Sequence, residues 1–137
     1  MKHKVAELEG ALLDAAVAKA EGWAFLLGRV VASVWSKNIG GQVVMLNEPP
    51  AFSSDWAKGG PIIERERIVV EPDQPKGGGG GWTAFVMEEY GHEGAVEVSG
   101  TYQAGPTPLI AAMRSFVASC FGDEVELPRN EKSAPQP

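Results

Sequence analysis

Two stretches of this chain set charged and aromatic residues directly beside conformationally restricted ones. The first is Asp55-Trp56-Ala57-Lys58-Gly59-Gly60-Pro61-Ile62-Ile63-Glu64-Arg65-Glu66. The second is Gly105-Pro106-Thr107-Pro108-Leu109-Ile110-Ala111-Ala112-Met113-Arg114. Gly and Pro restrict where the backbone goes, so their polar neighbours are presented in a set geometry. The chemistry best served by these residue types is anion recognition. Thr107 suits an N-cap and Pro108 the first helical position, so a helix starting there offers the N–H groups of Leu109 and Ile110 and the positive end of its dipole. Arg65, Arg67 and Arg114 are guanidinium candidates for a phosphate or carboxylate. Trp56 and Trp82 could supply a stacking face for a base. The candidate ligand-binding set is Asp55, Trp56, Gly59, Gly60, Arg65, Thr107 and Arg114. A plain structural reading stands beside it: Thr107 only caps, Arg114 pairs with Asp123 or Glu124, Trp56 is core, and Asp55 caps its own turn or holds Arg65.

Other chemistries find less support. The histidines are His3 and His92 and the one cysteine is Cys120, so no His/Cys cluster for structural zinc is available. Asp55, Glu64 and Glu66 are candidate magnesium ligands, but their spacing does not demand a metal. There is no Gly-x-Ser-x-Gly elbow, and His92 falls in a Gly-rich turn. Cys120, among Phe116, Val117 and Phe121, reads as a small buried apolar side chain. We expect no catalytic residue, no metal and no cofactor.

The elements that must position the candidates can be read from periodicity. Leu13, Ala16, Val17 and Ala20 recur at helical spacing, predicting a helix over Gly10–Glu21 that stops at Gly22. Arg29–Trp35 and Gln42–Leu46 read as strands joined through a turn at Lys37–Gly41, with a helix over 24–35 as the competing reading. Asp55–Gly60 reads as a turn or one helical turn, capped by Ser54 or Asp55. After Pro61, Ile62–Val70 reads as a strand with two mixed faces, suited to an edge, a cleft or pairing across a two-fold axis. Trp82–Glu88 is a strand carrying Trp82, Ala84 and Val86 on one side, with Gly94–Ser99 as its hairpin partner. Thr107 caps a helix over Pro108–Phe121 whose stripe is Leu109, Ala112, Met113, Phe116, Val117 and Cys120, ended by Gly122. Asp123–Leu127 could add a short strand. The expected fold is α+β, two helices packed on one face of a mainly antiparallel sheet. Residues 1–128 form one domain with a flexible Gly-rich connector near 72–81, and 129–137 form a flexible tail.

Bulk properties narrow the function classes. With 137 residues the chain has the length of one domain with a real core. Its net charge of -6 gives no overall attraction to a phosphate backbone, which makes nucleic acid a less favoured partner without removing it. A single cysteine fits a reducing compartment, and no apolar run has the length of a membrane span. The five glycines from Gly77 to Gly81 precede Trp82 and a strand, so they are no phosphate loop.

The two opening stretches, read with Leu12-Leu13-Asp14-Ala15-Ala16-Val17-Ala18-Lys19-Ala20-Glu21-Gly22 and the run from Gly105 through Glu126 to Pro128, resemble the phage NinX family of small tailed-phage and prophage proteins. Typical members look shorter, which marks the stretch around Gly28–Val44 and the glycine run as elaborations. The resemblance implies a phage origin and a role in the cytoplasm of the infected bacterial cell, and it implies no reaction. The leading expectation is a non-enzymatic binding protein that engages a small anionic, nucleotide-like ligand or a host protein to counter host functions, with homo-oligomerisation a further expectation. One alternative is an accessory factor in phage DNA recombination or replication. The other is a metal-dependent nucleotide-processing enzyme using Glu64 or Glu66.

Overall fold

Ala-rich, helix-favouring sequence gives the first helix, α1 (Gly10–Ala20), in the computed structural model, which describes residues 1–27, 33–73, 81–89, 95–97 and 100–128. It stops where Gly22 takes φ 91°, a left-handed backbone that only glycine adopts at little cost. Two further helices follow, α2 (Trp56–Glu66) and α3 (Pro108–Phe121). The strands are β1 (Lys2–Lys4), β2 (Ala24–Leu26), β3 (Val34–Ile39), β4 (Gln42–Leu46), β5 (Ile68–Pro72), β6 (Trp82–Glu89), β7 (Ala95–Glu97), β8 (Gln103–Gly105) and β9 (Glu124–Glu126). Every pairing among the described residues is antiparallel.

The class is α+β, as expected, with three α-helices among the described residues rather than two. Helix α3 lies along the sheet made of β5, β6 and β8; α1 and α2 pack against α3 in turn, and α2 also touches β5. The stripe of α3 explains its central place: Leu109, Ala112, Met113, Phe116 and Val117 are all buried. On the sheet side, Ala84 and Ile68 are buried, with Trp82, Val86 and Val70 packed against them. Strand β6 is central, pairing with β5 on one side and with β7 and β8 on the other. A β2-β3-β4 meander forms a second sheet, and β1 pairs with β9 to tie the first described residues to the strand after α3.

Several expectations needed correction. The segment Ile62–Val70 is not one strand: α2 continues through Glu66, Arg67 takes the left-handed conformation (φ 54°) as its C-cap, and β5 starts at Ile68. Pro61 lies inside the helix, and Gly60 before it lessens the crowding that a proline there brings. Proline's ring clashes with the Cβ of a preceding helical residue, and glycine has none. The two-fold strand pairing expected of 62–70 loses its premise. Strand β3 starts at Val34 and runs to Ile39, so the turn shrinks to Gly40–Gly41; residues 29–32 of the expected strand lie outside the described residues. The hairpin with β4 stands, and at 24–26 the chain is a strand, not a helix. Cys120 is exposed, because the last turn of α3 runs past the layer it packs on. The glycine connector at 74–80, His92 and the tail at 129–137 lie outside the described residues.

Candidate binding site at the paired helix starts

The two Gly-Pro stretches meet at one joint. A Cβ on Gly59 would lie 2.4 Å from the Phe52 carbonyl oxygen and 2.6 Å from Leu109 Cδ1, so only a glycine lets α2 come this close to the first turn of α3. Gly105 does the same from the sheet side: a Cβ there would lie 2.7 Å from the backbone N of Ala111. Further along, the Arg65 guanidinium lies 5.6 Å from the centre of the Phe116 ring. With Gly59 against Leu109 and Arg65 over Phe116, α2 and α3 run in the same direction. Their N-termini therefore lie side by side at one end of the molecule.

Each start carries its own cap. Asp55 Oδ1 accepts from the N–H of Ala57 at 2.9 Å, and Thr107 Oγ1 accepts from the N–H of Ile110 at 3.1 Å. Leu109 is therefore left as the uncapped donor of the two foreseen on α3. The loop before α2 is fixed from below. Buried Phe52 sits in the core, and the N–H of buried Ser53 donates to Asp14 Oδ1 on α1 at 2.8 Å. Burial pushes the Asp14 carboxyl above its ordinary range, with the bonds from the Ser53 hydroxyl and N–H opposing. Trp56 is not core; it is 56% exposed on the first turn of α2. Gly60 lies beside it, its Cβ position 3.9 Å from Trp56 Cε3. Asp55, Lys58 and Thr107 are exposed as well.

The arginines do not join this group. Arg65 leaves the far end of α2, about 13 Å along the helix axis from Trp56. Its guanidinium pairs with Glu21 at the end of α1, Nη1 to Oε2 at 3.2 Å and Nη2 to Oε1, and with Glu66 at 3.4 Å. Those bonds, from Glu21 above all, hold it above its ordinary pKa. Arg114 is buried and forms no ion pair with a described carboxylate: Nε donates to the Leu8 carbonyl at 2.7 Å and Nη1 to the Ala104 carbonyl at 2.8 Å. Burial pushes its pKa below the ordinary value, opposed by nearby Glu9. The expected partners Asp123 and Glu124 are not used. Arg114 joins the turn before α1 to β8, the strand that leads into Thr107.

The structure thus gathers Asp55, Trp56, Gly59 and Gly60 next to the α3 start that Thr107 caps, and separates Arg65 and Arg114 from them. Asp55 lies at one end of α2 and Glu64 and Glu66 at the other, and among the described residues no group of three or more His, Cys, Asp or Glu could hold a metal ion. The reading of the residues missed Asp14, Ser53 and Phe52, which position the site. A carboxylate at Asp14, on the buried stripe of an Ala-rich helix, was the available signal.

Fold and site together define a small α+β domain whose two Gly-Pro motifs form one helix–helix joint. A family model described as "Bacteriophage P22, NinX" matches residues 4–120, and the chain belongs to this phage family. No curated protein matches it. Among the described residues no helix is long and apolar enough to cross a membrane.

Proposed function

We propose that this phage-encoded protein is a non-enzymatic binding protein, and that its recognition surface is the end of the molecule where α2 and α3 begin. It engages an anionic group there, on a small nucleotide-like ligand or on a host protein, to counter host functions in the bacterial cytoplasm. The observation that carries the reading is the parallel pair of helix starts with exposed Trp56 beside them. Two dipoles directed to one end raise the local positive potential, and an exposed indole offers a stacking face. With Arg65 and Arg114 engaged elsewhere, the attraction rests on the helix ends and Lys58. Asp55 already fills the α2 start with a carboxylate, which leaves the neutral Thr107 cap of α3 as the better anion position.

The test is a thermal-shift and calorimetric screen of the full chain against linear and cyclic nucleotides, with host-lysate fractions as the second arm. The expected result is a ligand that raises Tm in the parent and not in Trp56→Ala. If every ligand that binds does so equally well in Trp56→Ala, the surface is misassigned.

A further inference from the structure

The molecule carries a second concave feature, remote from the helix starts. The end of α1, the β2-β3 hairpin and the β9 end surround an open hollow of about 490 Å³ whose lining includes Trp23, Phe25, Trp35, Lys19, Glu126 and Leu127. That volume lies within the range of small-ligand sites. Phe25 and Trp35 face each other across β2 and β3, ring centres 5.2 Å apart at 57°. Trp35 is buried and forms the fixed wall, whereas Trp23 and Phe25 are only partly covered and keep ring surface free. Lys19 stands on the rim. Its ammonium donates to a neutral acceptor, the backbone carbonyl of Glu126, at 2.7 Å, and lies 5.3 Å from the centre of the Phe121 ring. The Glu126 carboxylate is turned onto the Met1 amino group at 2.7 Å, which, with smaller contributions from Lys2 and Lys19, holds its pKa below the ordinary range. An ammonium has three donors, so Lys19 retains capacity for an anion.

We propose that this hollow binds a small planar anion, an aromatic ring bearing one phosphate or carboxylate, with the ring against Trp23 and Phe25 and the anionic group on Lys19. Charge decides the class. Lys19 forms no ion pair with a described carboxylate, and Glu126, which feels its charge, is already paired with the Met1 amino group, so an acidic ligand gains a charge-assisted bond that a neutral one cannot make. Aromatic side chains stack on any planar π system, which fits a ring rather than an aliphatic acid. The inference does not depend on the helix-start surface, since it uses neither Trp56 nor Thr107.

The indole N–H signals of the four tryptophans allow a test by NMR titration, once each is assigned from a Trp→Phe variant. The probes are adenosine monophosphate, uncharged adenosine, 2-naphthoate and inorganic phosphate. Adenosine monophosphate or naphthoate is expected to move the Trp23 and Trp35 signals while leaving Trp56 in place, and the tighter of the two identifies the source of the anion. Losing the charged contact in Lys19→Gln should weaken that probe about tenfold. Lys19→Arg should restore binding, which separates lost charge from a damaged fold. The proposal is overturned if neither planar anion moves Trp23 or Trp35, if adenosine binds as tightly as its monophosphate, if phosphate alone reproduces the shifts, or if Lys19→Gln binds like the parent. Trp56→Ala should leave these shifts unchanged, so either surface can fail without the other.

Discussion

Replacing Gly59 by alanine tests the joint on which the site depends. In an ordinary helix interior the change gains about 1 kcal/mol, because alanine is the better helix former. Here the new methyl would lie 2.4 Å from a backbone carbonyl and 2.6 Å from Leu109 Cδ1. Overfilling a packed site costs about 1–3 kcal/mol, and a backbone oxygen cannot rotate aside, so the upper end applies. The balance is a loss of about 2 kcal/mol, or about 8 °C in Tm for a domain of this size. Gly60→Ala is the internal control. Beyond its chain neighbours its methyl would meet only Trp56 Cε3, at 3.9 Å, and the helix-propensity gain is offset by the clash with Pro61, so stability should move by less than about 0.5 kcal/mol. Both are read by thermal unfolding followed by circular dichroism. A Gly59→Ala protein that melts at or above the parent would refute the close approach of α2 and α3.

Arg114→Met should cost about 3 kcal/mol in urea unfolding, because it leaves the carbonyls of Leu8 and Ala104 without their donor; Arg114→Lys should not restore them, lacking the fork that spans both. Arg65→Gln should cost no more than about 1 kcal/mol by the same assay, since that side chain is 50% exposed and its ion pairs are screened. Thr107→Ala should lose about 1 kcal/mol with its cap bond to Ile110. Asp14 contributes one part of the pH dependence in the acid range. Its pKa is raised in the fold, so its protonated form favours folding below the ordinary carboxylate range, and that contribution fades as pH rises through the raised value. Asp14→Asn keeps an acceptor for Ser53, so it should flatten that slope and match or exceed the parent near neutral pH, whereas Asp14→Ala should cost about 1–3 kcal/mol.

Much of the frame was legible because its signals are local. Capping residue, N1 proline, apolar stripe and terminal glycine all agree on α3, and an Ala-rich stripe ending at Gly22 defines α1. The hairpin of β3 and β4 follows from Gly40-Gly41 between β-prone runs. Helix α2 was obscured by its composition. Ile62 and Ile63 are β-branched, Pro61 argues against a helix, and Ile68–Val70 follows with the same character. Burial overrode propensity, since Gly59, Ile62 and Ile63 recur at helical spacing and turn toward the core. The short strands β1 and β8 draw their identity from partners remote in sequence, β9 and β6, which no window of neighbouring residues contains. The fate of Arg114 was equally non-local: its acceptors are backbone carbonyls, invisible to any pattern of side chains.

What the two motifs encode is therefore a joint before it is a binding site. Gly59 and Gly105 press α2 and β8 onto the opening of α3, Arg114 clamps β8 to the turn before α1, and Asp14 holds the loop that launches α2. Each of these groups faces inward, and what they leave facing outward at that end includes Trp56, Lys58 and the Thr107 cap. Recognition there, as proposed, would depend on stacking and on fixed backbone dipoles rather than on guanidinium forks. Helix-end attraction is weak and screened by salt, while indole stacking is not electrostatic in origin. Binding at the helix starts should consequently weaken only modestly as ionic strength rises and collapse with Trp56, whereas binding at the Lys19 hollow should weaken more steeply. Unequal salt responses from the two surfaces would follow from how far each depends on a cation rather than on stacking.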